Sequence, residues 1–323
     1  QLGAAAGLLA KEDADLGTLD PSRTGVVMGV ALGPLSSIVY EFSRFEQGGA
    51  KAVSALMPIR TLPNANAAVL GGLLGIDGPC HSVAAGCASG ALSIGEGAHL
   101  VASGRCDVVF AGASEAGMLA EPQGTLDFLE AGLGHLRVLS DEPVGRPFDR
   151  DRRGFIAAEG AAVVVLEAAE RASARGARTY GTVDGCGTAL DHDLVAPATD
   201  GVAIATAMRR AMLDAGLDHR QVVHVNAHGS GTLANDLAEA NAIHLALGEP
   251  GPPVVSTKGT TGHSGAASGS VEAVALLLSL FHGVLPPVHG LREPDPDLRL
   301  DVVRAATPWE PGPSLSLSLG LGG

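Results

Sequence analysis

The sequence predicts an α/β protein made of two similar halves, and three observations lead there. Apolar runs of strand length alternate with longer alanine-rich stretches of helical length along all 323 residues. The composition is 46% hydrophobic but only 3% aromatic, so the core has to be built from Ala, Val, Leu and Ile. Of the 45 glycines, many fall beside candidate reactive residues instead of in one linker, which favours close backbone packing over disorder. A chain of this length can bury a large core.

Taken in order, TGVVMGVALG (24–33) reads as a strand leading into a loop, and 64–75 as a helix. CHSVAA (80–85) is a short strand, 88–103 a helix, CDVVFAG (106–112) a strand, and AAVVVLE (161–167) closes the first half. In the second half, 201–215 reads as a helix and QVVHVNAHG (221–229) as a strand running into a glycine turn. A helix at 234–247, the strand PPVVST (252–257), a helix at 265–282 and a β-like end, SLSLSLGLGG, complete it. Strands alternating with helices of this length predict parallel sheets covered on both faces. The halves are placed at about 1–170, carrying the candidate nucleophile, and 171–323, carrying the candidate histidines.

The charge balance of 21 basic against 35 acidic residues, −14 with no Lys/Arg run, argues against nucleic acid as a partner. The longest apolar stretches are interrupted, as by Glu272 in SVEAVALLLSLF, so no membrane span is expected. The start, QLGAAAGLLAKEDADLG, lacks the pattern of a secretory signal. Cys80, Cys87, Cys106 and Cys186 show no metal-type spacing and suit reduced thiols in a cytoplasm. Except for Cys87, they read as small buried hydrophobes. The charge-dense loop VGRPFDRDRRGFIAAEG (144–160) reads as a solvated connector held by Arg–Asp pairs.

Three segments carry chemistry. Cys87 falls at a strand-to-helix turn between Gly86 and Gly90, where a helix N-terminus favours a thiolate and its N–H groups can hold an oxyanion. A buried structural cysteine is the alternative reading. In NAHGSGTLANDLAEA (226–240), His228 leaves a strand into a glycine turn and can reach a cleft, with the Ser230 and Thr232 hydroxyls available to a polar ligand. For a lone histidine, a simple loop hydrogen bond is the plainer reading. STKGTTGHSGAASGSVEA (256–273) places His263 similarly, with Lys258 and Glu272 either a buried pair setting the charge state around the histidines or two surface side chains.

Together these blocks resemble the β-ketoacyl-ACP synthases, the condensing enzymes of the thiolase superfamily. GPCHSVAAGCASG resembles the nucleophile segment, RPFDRDRRGFIAAEGAAVVVLE the central signature, NAHGSGT…ND…EA and STKGTTGHSGAASG the two histidine segments, and SLGLGG the terminal glycine loop. The resemblance implies a thiolase-like fold with stacked mixed sheets between helix layers. It implies a Cys87–His228–His263 triad supported by Lys258 and Glu272, and an oxyanion hole from the N–H groups of Cys87 and Leu321. Ser230 and Thr232 match positions that touch the pantetheine arm. The activity implied is elongation by decarboxylative condensation with malonyl-ACP in fatty-acid or polyketide synthesis. No metal or other cofactor is implied, because phosphopantetheine arrives on the acyl carrier protein.

The implied partners are that carrier protein and a second subunit, as a homodimer or as a heterodimer with a chain-length-factor-like chain. Lys51, Arg60, Arg209 and Arg210 are candidates for carrier docking. The alternative is a non-catalytic chain-length-factor-like subunit, which usually loses the cysteine and histidines kept here. Degradative thiolases need a late second cysteine, and none follows Cys186. Departures from the family pattern are Gly86 for Ala, Ser230 for Thr, and Leu317, Leu319 and Leu321 for the terminal Asn and two Phe residues. Leu321 and Leu319 therefore stand where the acyl gate is expected. Family members begin with a further strand and end with one more, so the sequence is expected to be cut at both ends.

Overall fold

The computed structural model describes residues 1–116 and 123–322. It divides into two compact units made of exchanged segments. Unit 1 takes 1–137, 157–177 and 264–270, and unit 2 takes 138–156, 178–263 and 271–323.

Unit 1 runs α1 (Leu2–Ala14), β1 (Thr24–Gly29), α2 (Leu35–Gly48), α3 (Met57–Arg60), α4 (Ala65–Leu74), β2 (Cys80–Val83), α5 (Ser89–Ala102), β3 (Val108–Glu115), α6 (Gln123–His135), β4 (Gly160–Glu167) and α7 (Ala169–Ala174). Its sheet has the order β2-β1-β3-β4. β1 pairs in parallel with both neighbours, Val26 standing beside Cys80 and Phe110, while β4 runs antiparallel to β3. The antiparallel β4 makes this a mixed sheet, as the family resemblance implies, and corrects the all-parallel reading of strand–helix alternation. The long stretch between β3 and β4 carries α6 and returns the chain in the reverse direction, which alternation of strand and helix lengths does not encode.

Every residue of β1 is buried, as expected for a strand covered on both faces. Val26 and Met28 face α1 and α4 in a core with Leu70, Val108, Phe110 and Val163. Fully burying each of these large side chains is worth roughly 1.5–3 kcal/mol. On the other face α5 lies close because its contacts are small. A Cβ on Gly97 would come within 2.9 Å of the Ala111 Cβ and a Leu166 methyl.

Unit 2 contains α8 (Val202–Asp214), β5 (His224–Asn226), α9 (Leu233–Leu247), β6 (Val254–Val255), α10 (Lys258–Thr261), most of α11 (Ala267–His282), β7 (Val284–Leu285), β8 (Thr307–Pro308) and β9 (Ser314–Ser316). A parallel sheet has the order β6-β5-β9, and β7 with β8 forms a separate antiparallel pair. The core joins Val225 and Ala227 to Met208, Met212, Ala238, Ile243 and Phe148.

Two expectations are corrected. The loop 144–160 is no solvated connector: Arg146, Phe148, Asp149 and Arg152 are buried. Their charges are tolerated because each finds partners. Arg152 pairs with Asp295 at 2.5 Å and Asp236 at 3.6 Å, and one Asp149 oxygen accepts the N–H groups of Arg292 and Glu293. Of the three cysteines read as buried hydrophobes, Cys106 is buried but Cys80 and Cys186 are exposed. Cys80 starts an edge strand, and Cys186 lies on an irregular segment with its N–H on Asp214.

Candidate active site

In unit 1 the chain leaves β2, turns at Gly86 with φ +53°, and enters α5 two residues after Cys87. That φ is one glycine adopts at no steric cost. Cys87 is half-buried. The turn is closed by Ser89, whose Oγ accepts the Ala85 N–H at 2.8 Å. The same oxygen lies within donating distance of the Gly86 carbonyl at 2.7 Å and the Val30 carbonyl at 2.9 Å. Gly90 is obligatory for a different reason: a Cβ there would stand 2.5 Å from the Ala266 carbonyl oxygen and 2.7 Å from Ser270 N. The cysteine therefore sits at the start of a fourteen-residue helix, in the field that favours a thiolate.

Unit 2 brings His228, His263, Lys258 and Glu272 together, all buried. The two imidazole centroids are 5.1 Å apart and nearly perpendicular, and Phe155 meets His263 edge-on at 4.7 Å. Lys258 and Glu272 form the buried pair that the sequence left open. The lysine Nζ also reaches the His228 carbonyl at 2.6 Å and His228 Nδ1 at 3.1 Å. An ammonium can only donate, so Nδ1 accepts and the neutral ring carries its proton on Nε2. Burial holds both histidines well below their ordinary pKa, and the Lys258 charge adds to this. Burial pushes Glu272 up to about 7 against the opposing pull of Lys258.

The histidine loop rests on two carboxylates, Asp236 and Glu239, which fall in the ND and EA of the first histidine segment but have no role assigned from sequence. The Glu239 oxygens accept the His228 N–H at 2.7 Å, the Gly229 N–H at 2.6 Å and Asn235 Nδ2 at 2.8 Å. Asp236 accepts the N–H groups of Gly231 at 3.0 Å and Phe148 at 2.8 Å. Burial and the neighbouring Asp236 push Glu239 up to about 8, opposed by its backbone donors. With N–H groups on both oxygens, the acid form would have no acceptor for its own proton. The available signal was their place in the ND and EA of that segment, two acids three residues apart in an otherwise Ala/Leu-rich helix.

Ser230 and Thr232 share a hydrogen bond at 3.1 Å, and Thr232 Oγ1 caps α9 by accepting the Asn235 N–H at 3.3 Å. Leu319 packs on the unit 2 core, while Leu321 is 47% exposed. The terminal turn is tied by the Gly322 N–H to the Leu194 carbonyl at 3.2 Å. Among the described residues, no group of three or more His, Cys, Asp and Glu side chains is placed to hold a metal ion. None of the described helices is long and apolar enough to cross a membrane.

A cysteine at a helix start and two buried neutral histidines are what the resemblance to the condensing enzymes implies. The comparisons name the family. The N-terminal domain of β-ketoacyl synthases matches residues 2–172, and the C-terminal domain matches 180–292. The chain belongs to the β-ketoacyl synthase family, a type II ketosynthase of the thiolase superfamily. It is 38% identical to 3-oxoacyl-[acyl-carrier-protein] synthase 2 of Vibrio cholerae, over 94% of this chain and 74% of that protein. It is 36% identical to polyketide beta-ketoacyl synthase 1 of Streptomyces halstedii, over 97% and 77%.

Among solved structures, one is a type II polyketide acyl-carrier protein in complex with its ketosynthase bound to the hexaketide. It matches with a TM-score of 0.93 and 30% identity over 99% of this chain and 81% of that one. The ishigamide ketosynthase/chain length factor matches with a TM-score of 0.91 and 31% identity over 99% and 78%. The thiolase-like fold inferred from the motifs agrees with these likenesses.

Proposed function

We propose that this chain elongates carrier-bound acyl chains by decarboxylative condensation, with Cys87, His228 and His263 as its catalytic residues. The Cys87 thiolate attacks the carbonyl of an acyl thioester, and the carrier's pantetheine thiolate leaves as the acyl–cysteine bond forms. A malonyl thioester then loses CO2, and the electron pair of the broken C–C bond passes toward the thioester oxygen. Neutral histidines donating N–H groups to that oxygen stabilise the enolate. Its carbon attacks the Cys87 thioester, forming the new C–C bond and returning the thiolate. The N–H groups of Cys87 and Leu321 are assigned to the oxyanion of the acyl-transfer steps, and Ser230 and Thr232 to the pantetheine arm.

One observation carries this reading: Lys258 on Nδ1 of His228 leaves Nε2 as a fixed donor in a buried, neutral ring. A general base would need the opposite state. Nothing in the reaction calls for a metal or redox cofactor, and we place it in the cytoplasm.

The acyl carrier protein is the substrate-bearing partner. Two features of unit 1 favour a second subunit: β2 is an edge strand, and Tyr40, Phe42, Phe45 and Ile59 are about half exposed or more. CO2 release from malonyl-carrier protein tests the histidine assignment. His228→Ala and His263→Ala should each lose it while Cys87→Ala keeps it, and release that persists in both histidine variants would overturn the assignment.

A further inference from the structure

Glu115, the last residue of β3, has no place in the chemistry above, yet it is a buried carboxylate, 2% exposed. Oε2 accepts the N–H groups of Ala31 and Leu32, and Oε1 that of Gly33, all at 3.1 Å. The Ala266 N–H acts on the same carboxylate more weakly than these three. Gly265, with φ +54°, lies so close that a Cβ would stand 3.3 Å from Glu115 Cγ. Among the described residues, no cationic side chain forms an ion pair with it. Burial raises its carboxyl above the usual range, and the four backbone donors oppose the rise.

Both segments held in this way touch the first turn of α5. The loop after β1 presents the Val30 carbonyl to Ser89 Oγ at 2.9 Å. The segment after His263 presents the Ala266 carbonyl against Gly90, where even one methyl group would not fit. Both contacts flank Cys87 in sequence by two to three residues.

We infer that Glu115 is a positioning residue for the nucleophile: by collecting the N–H groups of Ala31, Leu32, Gly33 and Ala266 on one carboxylate, it braces the Cys87 turn from two sides. Cutting the carboxylate loosens both braces at once, although Glu115 itself touches no substrate. An amide in its place keeps the size but turns an NH2 group toward backbone N–H donors. This inference rests on Cys87 being the nucleophile.

The test is the rate of iodoacetamide labelling at Cys87 as a function of pH, read by peptide mass spectrometry, with Cys80 and Cys186 as exposed references. In Glu115→Gln, labelling of Cys87 is expected to slow by at least about tenfold. Its pH midpoint should move upward as the helix-start geometry is lost, and Glu115→Asp should recover part of both. A folded variant of either kind with the wild-type rate and profile would overturn the inference. Wild-type Cys87 labelling no faster than Cys80 would instead sink the nucleophile assignment, and the brace with it. Should neither variant fold, hydrogen exchange of the wild type decides. The amides of Ala31, Leu32, Gly33 and Ala266 should exchange as slowly as those inside α5, and exchange at the rate of exposed loops would contradict the brace.

Discussion

The nucleophile turn of unit 1 and the histidine loop of unit 2 are built from opposite materials. Around Cys87 the chain uses Ser89, Gly86 and Gly90, contacts to backbone carbonyls, and a helix start. Around His228 it buries Lys258, Glu272, Asp236 and Glu239, every one of them charged in its ordinary state. The difference fits the roles proposed for the two groups. A thiolate needs close approach and a favourable field, which small residues and a helix dipole supply. An imidazole that donates one fixed proton needs its other nitrogen occupied and its charged form suppressed, which burial and a neighbouring cation supply.

The sharpest way to break the comparison is Cys87→Ala. Condensation should fall by about a thousandfold or more, while CO2 release from malonyl-carrier protein survives, as measured by paired product and CO2 assays. Equal loss of both would mean that the two regions do not divide the chemistry.

Lys258→Ala strands a buried carboxylate and should cost roughly 3–5 kcal/mol in chemical denaturation. The double change Lys258→Met with Glu272→Leu should restore much of that stability without restoring decarboxylation. Recovery of the rate would show that the pair serves folding alone.

Acid sensitivity sharpens the contrast next, because among the described residues every buried histidine lies in unit 2. His224, packed against Trp309 with neither ring nitrogen hydrogen-bonded, is lowered to about 4 by burial. The native state therefore refuses a proton that the unfolded chain accepts below about 6.5. Its contribution is complete above that pH and declines toward pH 4, by about 3 kcal/mol. The raised carboxyl of Glu272 acts in the opposite sense over part of this window, so the informative quantity is a difference. Stability of His224→Phe minus wild type, from denaturation at several pH values, should rise as pH falls from 6.5 to 4. A flat difference would count against this account of His224.

The smallest effect belongs to Thr232. Loss of its helix cap in Thr232→Ala should cost about 1 kcal/mol, and contact with the pantetheine arm should appear as a raised KM for the carrier protein with little change in kcat. An unchanged KM would leave the residue as a cap only.

Much of this was legible from residue order. Strands at 24–29, 80–83 and 108–115 and helices at 89–102, 233–247 and 267–282 follow the apolar periodicity closely, because small aliphatic residues on both faces leave little ambiguity. Cys87, His228 and His263 stood out through their glycine neighbours. The buried state of Lys258 and Glu272 was an open alternative, since fourteen residues separate them and only folding shows that they meet. Asp236 and Glu239 lay inside the first histidine segment without a role, and Glu115 was missed, because most of their partners are backbone N–H groups, which leave no mark on residue type. The direction of β4 and the burial of 146–152 depend on contacts distant in sequence, so no local pattern announces them.

The most direct test of the divided chemistry is intact-mass analysis after incubation with acyl-carrier thioesters of several lengths, with the candidate partner subunit present. Wild type and His263→Ala should each gain one acyl group, located on Cys87, while Cys87→Ala gains none. An adduct that persists in Cys87→Ala, or none on the wild type with any donor, would contradict the account and leave the chain as a binding subunit.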